Sequence, residues 1–197
     1  MIKLASVFRS FKKNSLLNII NVFCMALGLV SAGIIVSYIY QEYNYDCENE
    51  NSPRIFRAIQ KDGENLNTVT FGPLAQSLEA NYPEIEEAIR LSFFYGYLSC
   101  AAGENSANER FAIFADQQFF DFFSFPLIKG QSNTCLVSPN SVVISEKAAK
   151  KYFGKDDPIG RVLHIGADMD FTVTGVFQDF RANSNFTGDL ILPLDQI

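Results

Sequence analysis

His164 is the single histidine in 197 residues, and nothing nearby in the sequence marks it as a general base. One imidazole also argues against a metal centre, since structural and catalytic zinc sites draw on several His or Cys ligands at short spacings. Asp168 and Asp170 flank Met169 in a stretch that predicts a hairpin loop, where turn chemistry outweighs calcium coordination. The adjacent acids Glu86-Glu87 and Asp156-Asp157 have the character of solvated surface. Three of the four cysteines, Cys47, Cys100 and Cys135, follow the most apolar stretch of the chain, and Cys24 lies inside it. In an oxidising compartment three thiols permit one internal bridge, and the sequence does not choose the pair. Cys135, between Thr134 and Leu136, also fits plain apolar packing. The chain has no G-x-x-x-x-G-K-S/T phosphate loop, no G-x-G-x-x-G and no G-x-S-x-G. These residues predict a protein that is not an enzyme and carries no cofactor or metal.

The element that positions the rest is the uncharged stretch Asn14 to Gln41. About 20 apolar residues in a helix cross a hydrocarbon core of about 30 Å, and this stretch is long enough to do so with tilt. Signal-peptide apolar regions run to about 7–15 residues. Here the run passes the small-residue pattern Val30-Ser31-Ala32 and continues through Ile34, Ile35 and Val36, so an uncleaved span is expected. No small-residue lipobox precedes Cys24, which disfavours a lipoprotein anchor. Within the span Gly28 and Ala32 form a small-xxx-small pair, with Ser31 and Gly33 beside them, and are the candidate residues for packing against a partner helix. Asn18 and Asn21 near the start would favour the same contact or the interface.

The flanks predict the orientation. Lys3, Arg9, Lys12 and Lys13 precede the span without any acid, so the N-terminus should be cytoplasmic. Residues 1–13 also set Leu4, Val7, Phe8 and Phe11 at helical spacing, a basic amphipathic segment suited to the inner membrane surface. Tyr38, Tyr40, Tyr43 and Tyr45 follow at the far end, where amphipathic rings suit the headgroup layer. Of sixteen Lys and Arg, four precede the span; the twelve left beyond Gln41 face twenty-two Asp and Glu, a balance of −10. An acidic outer part argues against nucleic acid or an anionic lipid surface as partner. The expected organisation is a basic segment at 1–13, a transmembrane helix at 14–42 and an extracytoplasmic domain at 43–197.

Beyond the span the pattern is short strands with a few helices, an α+β arrangement. Strands are predicted near Ser52–Ile59, Asn67–Phe71, Phe111–Phe114, Ser141–Ile144, Val162–Ile165 and Phe171–Phe177. Pro73 fits the first turn of a helix that places Leu74, Ala75 and Leu78 on one face, and Pro83 ends it. Ile85 to Leu98 reads as extended and Gly103 to Glu109 as a polar loop. Asp116 could cap a brief helix at Gln117–Phe123. The densest aromatic run, Phe119, Phe120, Phe122, Phe123 and Phe125, is assigned to packing rather than to an exposed docking surface or substrate wall. Ser145 should cap a helix Glu146–Phe153 that stops at Gly154, with Lys147, Lys150 and Lys151 on a solvated basic face.

Several segments together resemble a known family. Arg9 to Asn14 gives R-x-F-x-K-N, followed by Ile19-Ile20-Asn21 and Ala26-Leu27-Gly28-Leu29 in the span. Then come Tyr45-Asp46, Arg54-Ile55-Phe56-Arg57, Gly72-Pro73-Leu74-Ala75 and Tyr82-Pro83-Glu84-Ile85. The densest matches are FADQQFFDFFSFPLIKG at 114–130, SVVISEKAAKKYFG at 141–154, DPIGRVL at 157–163 and FTVTGVFQDF at 171–180. In order and spacing these resemble the beginning of a MacB/FtsX-type ABC transporter permease, particularly the large form common in Bacteroidetes. The resemblance implies a MacB-like periplasmic core domain, with an α/β porter part and an inserted small β-rich subdomain, here incomplete. It further implies a permease subunit in the inner membrane, working with a separate ABC ATPase subunit. Further permease helices or a second permease copy, and a periplasmic partner protein, are implied as well. ATP-driven closure would pass through the helices to the periplasmic domain for export or extraction of a substrate, a coupling known as mechanotransmission. Where relatives often carry D-x-P-x-N-S, this chain has Asp179-Phe180-Arg181-Ala182-Asn183-Ser184, with Arg181 at the proline position. The sequence shows no second apolar span, so the expectation is a fragment or a truncated product, with a single-span anchored binding or scaffolding module as the alternative.

Overall fold

The computed structural model describes residues 15–43, 51–166, 169–181 and 183–194. The basic segment 1–13 and the expectations for Tyr45, Asp46, Cys47 and Asp168 lie outside them. The chain divides into two compact units, residues 1–45 and 46–197.

In the first unit, helix α1 runs Ser15–Tyr43 over 29 residues, about 43 Å at the usual rise. No charge interrupts it before Glu42, and its apolar side chains are exposed all round, as suits a helix whose solvent is lipid. It is long and apolar enough to cross a membrane. Ser31 Oγ donates to the Leu27 carbonyl at 2.9 Å, which satisfies a hydroxyl that hydrocarbon could not.

The second unit opens with a one-turn 3-10 helix at Ser52–Arg54 and a small hairpin, β1 (Gln60–Asp62) and β2 (Asn65–Asn67). The predicted strands at Ser52–Ile59 and Asn67–Phe71 are therefore displaced. The turn decides the register: Asp62 pairs with Asn65, and Gly63 takes φ +61° at the first position of the two-residue loop between them. A glycine with positive φ at that position lets the loop match the strand twist. Helix α2 (Leu74–Asn81) follows Pro73 as its N-cap and ends before Pro83, as expected.

Strands β3 (Leu91–Ala102) and β4 (Asn105–Ala115) form a long antiparallel hairpin. The expected loop at Gly103–Glu109 shrinks to Gly103-Glu104, with Gly103 at φ +60°, and Phe111–Phe114 is only the end of an eleven-residue strand. A register shift between Tyr95 and Leu98 hides the strand in the sequence. Ala107 and Ala112, five apart, both pack toward one core, as do Glu109 and Phe114, so the period of two breaks between them.

Helix α3 spans only Phe119–Phe122 and has no side-chain cap. Asp116 instead binds Arg90, accepting its backbone N–H at 2.8 Å and its guanidinium at 2.7 Å. A bidentate partner across the hairpin base outcompetes a local cap. Strand β5 (Leu127–Lys129) is short. Strand β6 (Ser141–Ser145) leads directly into α4 (Glu146–Phe153), then β7 (Val162–Ile165), β8 (Met169–Phe177) and β9 (Leu190–Pro193).

The sheet order is β5-β8-β6-β9-β4-β3-β7, and β7 pairs again with β8. The sheet thus curls until six strands close on themselves, with β5 as an outer edge. Pairings β6–β8 and β4–β9 are parallel and the others antiparallel. Alternation assigns the two faces: Val142, Ile144, Leu190 and Leu192 join Tyr152 and Ala148 of α4 in one core. Val143 and Ile191 face a second core with Phe119, Phe120 and Phe177. The aromatic run is therefore packing, as expected, and Phe186 completes it with edge contacts to Phe119, Phe123 and Phe125.

Candidate functional site

Among the described residues, most side chains that could do chemistry are packed or paired, and Cys24 is a free thiol on the exposed surface of α1. On β7, His164 Nδ1 meets Asp170 Oδ1 on β8 across an antiparallel pair at the surface. Asp170 lies within a strand rather than in the predicted loop. Cys100 and Cys135 are free and buried in different cores, on opposite faces of the sheet, so no bridge joins them. Burial pushes each thiol up to about 11, which keeps both neutral at physiological pH. Asp156 pairs with Arg161 at 3.1 Å and Asp157 with Lys129 at 3.0 Å. The hydrogen bond from Lys129 holds the Asp157 carboxyl below its usual range. Glu86 pairs with Arg54, while burial and then the charges of Glu79 and Asp121 raise Glu87. Among the described residues no group of three or more His, Cys, Asp or Glu is placed to hold a metal.

The basic face on α4 requires a correction. Lys150 reaches Glu146 one turn back at 2.5 Å, and that bond raises its affinity for the proton. Lys151 is not simply solvated: its Nζ lies 2.7 Å from Glu109 Oε1, a carboxylate only 4% exposed. The Tyr152 hydroxyl donates to the same oxygen at 2.5 Å, and Asn105 Nδ2 donates to the Tyr152 carbonyl at 2.8 Å. Burial and the hydrogen bond to Glu109 both raise Tyr152, so its hydroxyl keeps its proton. Glu109 therefore ties the tip half of the β3–β4 hairpin to the end of α4. Its place at the end of Gly103–Glu109, which the sequence predicts as a polar loop, conceals it.

The N-terminus of α4 is held in the same manner. Ser145 Oγ accepts the Ala148 N–H at 3.0 Å, the predicted cap, and donates to Asp189 Oδ1 at 2.6 Å. Asp179 Oδ1 accepts the Lys147 N–H at 3.0 Å. The acid of the Asp179–Ser184 segment is thus a second cap on α4, a role invisible without the fold. Substitution of the expected proline by Arg181 leaves this bond in place.

Two surfaces stand open, each within its own unit. On α1, a side chain added at Gly28 or Gly33 would meet nothing within 4 Å. Ala32 lies one turn from Gly28 on the same side of the helix. On the sheet, β7 meets β3 only at Cys100 and Ala101, so the outer side of Leu91–Leu98 pairs with no strand among the described residues. Tyr95 and Tyr97 there are 75% and 72% exposed. A shallow hollow of about 660 Å³ near Asp121, Phe125 and Gln131 offers one carboxylate and no catalytic pair.

A long apolar helix preceding a curled mixed sheet defines a helix-anchored α+β domain. A family model described as the MacB-like periplasmic core domain matches residues 19–197. The chain belongs to that family, and the match includes most of α1 as well as the sheet unit. A domain of a protein described as a permease from Porphyromonas gingivalis shares 27% identity at a TM-score of 0.55, over 63% of this chain and 57% of that one. The periplasmic region of MacB from Actinobacillus actinomycetemcomitans shares 23% at a TM-score of 0.48, over 62% and 54%. The extracellular domain of the noncanonic ABC-type transporter YknZ from Gram-positive bacteria shares 18% at 0.43, over 54% of each chain. The chain spans little more than half the length of these structures. No curated protein matches the sequence.

Proposed function

We propose that the chain is the N-terminal part of the permease subunit of an ABC transporter. It would sit in the inner membrane with the N-terminus cytoplasmic and the sheet unit outside. A separate ATPase would hydrolyse ATP, and closure at the cytoplasmic side would pass through α1 and its partner helices to the sheet unit. That motion would export or extract a substrate. The chain itself would perform no covalent chemistry. The observation that supports this reading is the family match running unbroken from the apolar helix to the last residues of the sheet unit. The packed or paired state of most reactive groups described above favours a mechanical over a catalytic role. Gly28 and Ala32 are the proposed contact to further permease helices or to a second copy.

The test is affinity purification of the native product from gently solubilised membranes, with mass spectrometry of what is retained. Recovery of an ABC ATPase with the product supports the permease reading. A product of the 22.1 kDa calculated for this sequence, recovered without any ATPase, favours a single-span anchored binding or scaffolding module and removes the transport claim.

A further inference from the structure

We draw no further inference here: the strongest candidate, the open outer edge of β3 along Leu91–Leu98 with the exposed rings of Tyr95 and Tyr97, is an unpartnered apolar surface, and nothing in the structure shows what covers it.

Discussion

Glu109 shows how much one side chain can carry when it is buried. It accepts from Tyr152 and Lys151 at once, and removing it strands a phenol inside the core. Because Lys151 keeps a substantial exposed fraction, most of the cost comes from the phenol rather than from the ion pair. Glu109→Ala should lower stability by about 2–3 kcal/mol. Glu109→Gln, which can still accept from Tyr152, should lose less than half of that. Urea denaturation of the chain in detergent would measure both; equal losses would show that the acceptor at this site is unimportant. The two buried thiols give a second prediction at this scale. Cys100 and Cys135 rise from 9.0 to about 11 on folding. The unfolded chain therefore sheds these protons first as pH rises. Their contribution is complete below about pH 9 and is lost between there and about pH 11. Stability should fall across that window, and Cys→Ala at both positions should flatten the fall. Native chain at pH 8 should resist a thiol reagent at these positions until it is unfolded.

At the scale of elements, α4 is the best specified piece of the sheet unit. Ser145 caps it, Asp179 and Asp189 support that end, and Gly154 at φ +63° stops it. Loss of the cap in Ser145→Ala should cost about 1–2 kcal/mol, toward the upper end because Asp189 also loses its donor. A thermal melt would read this, and a change below about 0.3 kcal/mol would contradict the capping role. Turn glycines give a graded comparison. Gly103 has φ +60° in open space, so Gly103→Ala should carry backbone strain alone. At Gly130, φ is +94° and an added Cβ would stand 2.6 Å from the Thr174 carbonyl oxygen. That oxygen belongs to β8, which pairs with β5, β6 and β7 and cannot shift without disturbing them, so Gly130→Ala should destabilise clearly more than Gly103→Ala. Melts of the two variants in parallel would show the order, and equal shifts would mean that β5 yields freely. Gly175 is a related case. It pairs with Val143 at the register shift between β6 and β8, where a Cβ would approach Val143 Cγ1 at 3.0 Å. The shift lets Val173 and Val176 face the same core.

At the scale of the whole molecule the predictions concern the membrane. With Cys24 and Cys47 replaced by Ala, a cysteine at exposed Asn133 should react with a membrane-impermeant reagent in intact spheroplasts. One at Ser10 should react only after lysis. The reverse pattern would overturn the orientation argued from Lys3, Arg9, Lys12 and Lys13. Gly28→Leu should insert normally, because it adds apolar surface to a helix whose apolar side chains are already exposed, yet it should reduce co-purification of partner helices. Unchanged recovery of partners would remove Gly28 from the contact.

The features legible in the sequence are those written within a few residues of one another. An uncharged run defines α1, and Ser145 with Gly154 brackets α4. A short continuous apolar run marks β6, alternation marks β7 and β8, and five phenylalanines within seven residues mark a core. Each rests on local physics: a rise of about 1.5 Å per residue, a cap three residues away, or a side-chain period of two. Family membership was also legible, because short segments recur in a fixed order along the chain. What the tertiary structure alone decided depends on partners far apart in sequence. Glu109 became a buried acceptor only when α4 docked 42 and 43 residues later. Asp116 left the helix it could have capped because Arg90 offered two hydrogen bonds across the hairpin base. Only the end of β4, Phe111–Phe114, reads as a strand in the sequence, because the facing of its side chains changes between Glu109 and Ala112, beside the register shift with β3. The curl of the sheet joins β7 both to β3, at Cys100 and Ala101, and to β8. A local pattern cannot encode such closure, because the free energy that fixes it is gained only when both cores are filled together.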